Sequence, residues 1–168
     1  QQWLDEIEQI INEYQTNSKK SPTNLYFAKY KCLKNLLLSD PEAEFYLKKA
    51  IDLETDICNQ IDYQLELAMY YENISKYQKM LTILDQCQNL CRENPNLDRQ
   101  LARTFHYLGH YYFYTFKLDK AANYMSQAKN ILETILLEKT DKKVKKVWKL
   151  LSTCLHYLGR VRSEERRV

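Results

Sequence analysis

The chain has 168 residues, 45% of them hydrophobic, with 25 Lys and Arg against 22 Asp and Glu for a net charge of +3. That is enough apolar material for one domain with a continuous core. Only 2 Gly and 3 Pro are present, which disfavours hairpin turns, phosphate-binding loops and a βαβ alternation, and no apolar run is long enough to span a membrane.

Taken in order, the chain reads as helices. Trp3, Leu4, Ile7, Ile10, Ile11 and Tyr14 form one apolar stripe, and the surrounding residues are too acidic and amphipathic for a signal peptide. Thr16 to Pro22 is polar and ends this first helix. Ser21-Pro22 opens a second, Leu25 to Leu38, with Pro at the first helical position. Ser39-Asp40-Pro41-Glu42 opens a third that is expected to run to about Ile57. Along it Ala43, Leu47 and Ala50 alternate small, large, small.

The next unit places Leu67-Ala68 and Tyr71 on one helix, then Met80, Leu84 and Cys87 on a second, with a turn at Asn73 to Ser75. Asn94-Pro95-Asn96 ends that helix at about Glu93. Phe105, Leu108 and Tyr112 follow at helical spacing, then Ala121, Met125 and Ala128 on another helix. Gly109 and Ala121 remove bulk where two helices must approach closely. Beyond Thr140-Asp141 a last helix carries Val147, Leu151, Leu155 and Leu158. Its His156-Tyr157-Leu158-Gly159 echoes His106-Tyr107-Leu108-Gly109, but Arg162 stands where the corresponding Tyr would be.

From Ala102 to Ile135 the order aromatic, Leu-Gly, Tyr, Ala, large apolar, Ala resembles a tetratricopeptide (TPR) repeat, a family with a period of about 34 residues. The resemblance extends more loosely from about Asn24 to Gly159. It implies an all-α fold of about eight helices, an α-solenoid of antiparallel hairpins in a right-handed superhelix. The hairpins would cover about 24–57, 61–93 and 102–138, with an incomplete unit at 141–168. From Ala68 to Gly109 is 41 positions and from Gly109 to Gly159 is 50, so the array is expected to be divergent. The missing initiator Met points to a piece of a longer protein.

The same resemblance implies a module that binds a peptide or a helix of a partner in a concave groove, for sensing or scaffolding. The groove positions fall on Arg103, His106, His110, Phe113 and Tyr114, with Met69 and Glu72 from the preceding unit and His156 and Arg160 from the following one. These are cations, imidazoles and aromatics, the residue types that anchor peptides. Packing against the adjacent helix is the alternative for Phe113 or Tyr114. The stripe is distinct from Phe105, Leu108 and Tyr112, so replacing both His is expected to leave the fold intact. The Lys, Asn and Arg clamp by which some relatives hold a C-terminal carboxylate is not matched, since Tyr107 stands where a second cation is needed.

No nucleotide-loop, nucleophile-elbow or HExxH pattern occurs, so neither an enzyme nor a cofactor is expected. His106 and His110 have a metal-ligand spacing without further ligands, and no metal site is expected. The odd number of Cys, 5, suits free thiols in a cytoplasmic setting. Charge is uneven: residues 1–100 hold 11 Lys and Arg against 16 Asp and Glu, residues 101–168 hold 14 against 6. Lys142, Lys143, Lys145, Lys146 and Lys149 concentrate the excess in segment 139–149. Such a run is a solvated helix face, or alternatively a patch for nucleic acid or another acidic surface. The exposed flank around Leu155 and Leu158 suggests weak self-association.

Overall fold

The computed structural model describes residues 2–17, 23–36, 41–138 and 144–166. Among them are eight helices and no strand: α1 (Gln2–Thr16), α2 (Thr23–Leu36), α3 (Pro41–Leu53), α4 (Ile57–Asn73), α5 (Tyr77–Glu93), α6 (Asp98–Tyr114), α7 (Leu118–Glu138) and α8 (Val144–Glu165). No helix among the described residues is long and apolar enough to cross a membrane. The chain forms two compact units, Gln1–Lys76 with α1 to α4 and Tyr77–Val168 with α5 to α8. Their boundary falls inside the hairpin expected at 61–93.

In the N-terminal unit α1 packs on α2, α2 on α3 and α3 on α4. The small–large–small series works as the pattern requires, with Ala43, Leu47 and Ala50 all buried. Ala50 joins Ile11 and Tyr26 in a core flanked by Ile7, Leu25, Phe27, Tyr46 and Tyr63. The buried Lys29 ammonium is held by Glu8 at 3.0 Å and donates to the Tyr46 hydroxyl at 2.8 Å. Helix α2 also lies along α4. The Phe27 and Tyr63 rings are 4.2 Å apart, and Lys34 pairs with Glu66 at 3.0 Å. The contacts advance together along both helices, so α2 and α4 run parallel.

The third helix ends sooner than Ile57, and the reason is local. Glu54 Oε1 accepts the backbone N–H of Thr55 and Asp56, and Asp56 accepts that of Asn59. Asp56 is thus the N-cap of α4, satisfying one of the free donors of its first turn. Ile57 opens a helix instead of closing one.

In the C-terminal unit α5 packs on α6, α6 on α7 and α7 on α8, and α6 also meets α8. Phe105 lies against Tyr124 and Gly109 against Met125, while Phe113 clusters with Ala121. Only Thr115 to Lys117 separates these two closely packed helices, which makes them an antiparallel hairpin. Ala121, Met125 and Ala128 are fully buried, as are Met80, Leu84 and Cys87 on α5.

Helices α4 and α6 end in the same way. Lys76 N–H bonds Tyr71 O and Ser75 N–H bonds Glu72 O; Lys117 N–H bonds Tyr112 O and Phe116 N–H bonds Phe113 O. This pair of bonds around a left-handed residue is the Schellman termination. Ser75 and Phe116 take the left-handed place with φ of 58° and 56°.

Candidate functional site

The expected groove residues on α6 converge on one residue of α8, Tyr157. Its ring centroid lies 4.0 Å from His110, 5.5 Å from Phe113 and 6.4 Å from His106. Its hydroxyl is 3.3 Å from that of Tyr114. Arg160, one turn further on, lays its guanidinium 4.6 Å over the Phe113 ring and 5.4 Å over the Tyr157 ring. From His110 to Tyr157 is 47 positions, and from Phe113 to Arg160 is again 47. Helices α6 and α8 therefore run parallel at that offset, held by an aromatic and cationic seam.

This geometry corrects the open-groove reading of two residues. His106 is buried, 5% exposed, between His110 at 4.4 Å and the edge of Tyr107 at 5.2 Å. Neither of its ring nitrogens meets a hydrogen-bond partner among the described residues. Burial, then the neighbouring His110 and Arg103, lower its pKa to about 3, so the ring is neutral. An imidazole kept neutral behaves as a flat, mostly apolar filler, which is why a polar-looking stripe serves as packing. Phe113 is likewise buried, in a core cluster with Ala121 and Val161. The alternative of packing against the adjacent helix is the one it follows.

The remaining groove residues are differently placed. Tyr114, His156 and Arg160 are exposed, and Arg103 and His110 are partly buried. Met69 and Glu72 lie on α4 in the N-terminal unit, both partly buried. Of the basic residues, Lys145, Lys146 and Lys149 are exposed on the first turns of α8, and Lys142 and Lys143 lie outside the described residues. No cluster of three or more His, Cys, Asp or Glu with metal-binding geometry occurs among the described residues. Cys87, Cys91 and Cys154 are buried and Cys32 and Cys58 partly so, all as free thiols. Burial pushes the Cys154 thiol up to about 12, far from a reactive thiolate.

Tyr157 is the residue that sequence reasoning did not select. It was visible as part of the His-Tyr-Leu-Gly echo, but its role depends on the 47-residue offset, which no motif encodes. Comparison with protein-family models, with curated proteins and with solved structures finds no match for this chain.

Proposed function

We propose that the chain is a protein-interaction module, a divergent TPR-like α-solenoid without catalytic chemistry, that takes a peptide or helix of a partner at the rim of the α6–α8 seam. The carrying observation is Arg160, an exposed cation stacked on Phe113 and Tyr157 beside the exposed Tyr114. A guanidinium held over aromatic rings loses little freedom when it meets a carboxylate or a partner ring. Parallel α2–α4 and α6–α8 pairs, with an antiparallel α6–α7 hairpin, support the solenoid reading. Selection of displayed peptides on the chain tests it. Enrichment should be lost on Arg160→Glu combined with Tyr114→Ala, and equal enrichment on that variant would contradict it.

A second reading rests on Lys145, Lys146 and Lys149, all exposed on the first turns of α8. Binding there to nucleic acid or another polyanion would weaken steeply with salt, through counterion release. Seam binding would not.

A further inference from the structure

Two helices each present an exposed apolar line. On α1 it is Trp3, 74% exposed, and Ile10, 39%. On α8 it is Trp148, 58% exposed, and Leu155, 48%. Each pair is seven residues apart, about 10 Å along the axis, and each joins one Trp to one aliphatic residue. The charges beside the two lines are opposite. Helix α1 carries Asp5, Glu6, Glu8 and Glu13 and no Lys or Arg, with Glu6 and Glu13 exposed beside the apolar line. Helix α8 carries Lys145, Lys146, Lys149, Arg160 and Arg162 before its first acid, Glu164. Lys149 and His156, both exposed, flank Trp148 and Leu155, and the exposed Arg162 extends their line.

The packing pattern shows what such lines are suited to. In the C-terminal unit α7 packs against both the helix before it and the helix after it. Helix α1 packs on the following helix, α2, through Ile7 and Ile11, and its Trp3–Ile10 flank is open. Helix α8 packs on α7 and α6, and its Trp148–Leu155 flank is open.

We propose that a second copy of this chain closes this surface: α8 of one copy packs antiparallel on α1 of the next, Trp148 beside Ile10 and Leu155 beside Trp3, with Lys145 facing Glu13 and Lys149 toward Glu6. The contact joins two different surfaces, so it is heterologous: each copy has one α1 and one α8 to contribute, and the contact repeats into a ring or a chain. It uses the side of α8 away from Tyr157 and stands independently of the peptide-binding reading.

Sedimentation velocity on the 168-residue chain, at rising concentration and low salt, tests it together with tryptophan emission. Trp3 and Trp148 are the only two Trp in the chain, and both lie in the contact. Mass should grow beyond one copy while emission shifts to the blue, and salt should reverse both. Lys145→Glu with Lys149→Glu, or Glu6→Lys with Glu13→Lys, should each weaken association by roughly tenfold or more. An equimolar mixture of the two double variants should restore it, because each acidic α1 then meets a basic α8 and each basic α1 an acidic α8. Trp148→Ser, which changes no charge, should also abolish growth. A chain that stays at the mass of one copy, or charge variants that associate like the parent, would overturn the proposal. So would loss of polyanion binding in Lys145→Glu with Lys149→Glu when the parent does not self-associate, which returns this surface to the second reading above.

Discussion

His106-Tyr107-Leu108-Gly109 on α6 and His156-Tyr157-Leu158-Gly159 on α8 share four letters and almost nothing else. His106 is buried while His156 is exposed; Leu108 is fully buried while Leu158 is only partly so. A β-carbon added at Gly109 would stand 2.8 Å from both Cγ and Cε of Met125, whereas one added at Gly159 would meet nothing within 4 Å. The two glycines are 50 positions apart, but the helices pair at an offset of 47. The echoed letters are therefore out of step by three residues, nearly a full turn. On α6 Gly109 closes against α7, and the buried His106 lies toward Tyr157 of α8. On α8 His156 and Gly159 are exposed, Leu158 is only partly buried, and Tyr157 turns to α6. A motif in a helical array acquires its role from the helix that covers it.

The comparison can be broken most forcefully at Gly109. Gly109→Leu forces a branched side chain into Met125, next to the fully buried Leu108 and Ala121, and should cost about 3 kcal/mol or more. Gly159→Leu, with open space around it, should instead stabilise by about 0.5–1 kcal/mol, because Leu is nearly as good a helix former as Ala. Thermal or urea unfolding of the two variants reads the difference.

The two histidines come next. His106→Ala leaves a cavity and should cost about 2 kcal/mol, while His156→Ala should be neutral. His106→Leu should recover the loss, because an apolar side chain of similar size removes polar atoms that burial penalises. The buried His106 titrates at about 3 against 6.5 for the unconstrained side chain. Between those values the unfolded chain binds the extra proton. Its contribution to stability is therefore complete above pH 6.5 and is lost as pH falls towards 3, by up to about 1.4 kcal/mol per pH unit. In His106→Leu that part of the acid slope should vanish, as followed by urea unfolding across this range.

The smallest effect concerns the turn that directs α7 back along α6. Phe116 is 88% exposed and left-handed, at the position where Gly is usual. Phe116→Gly should stabilise the chain by about 1 kcal/mol. A loss of melting temperature instead would mean that the Phe116 ring makes a contact of value.

Helix number and most boundaries were legible because breakers are few and fall between apolar stripes: Asn73 to Ser75 and Asn94 to Asn96 mark real turns. The α3–α4 boundary was misread because neither Gly nor Pro marks it. There the chain turns on the carboxylates of Glu54 and Asp56 accepting backbone N–H groups, and Asp and Glu are too common to announce that. The buried packing positions from Phe105 to Ala128 were readable from spacing alone. The seam was not. Which residue of α8 meets His110 depends on the 21-residue length of α7 and the connection after it, quantities that accumulate over a whole hairpin. The burial of His106 was missed for a related reason: a helix stripe shows that residues share a face, not what lies opposite.

Paired unfolding measurements on Gly109→Ala and Gly159→Ala test most directly whether the covering helix decides the role. The two substitutions are chemically identical and both sit inside helices. At Gly159, exposed with open space around it, Ala should stabilise by about 0.5–1 kcal/mol through helix propensity. At Gly109 the collision with Met125 should outweigh that gain and leave a net loss of about 1–2 kcal/mol. Opposite signs are predicted; a gain at both positions would contradict the account, because it would mean that the covering Met125 of α7 sets no limit on the space at Gly109.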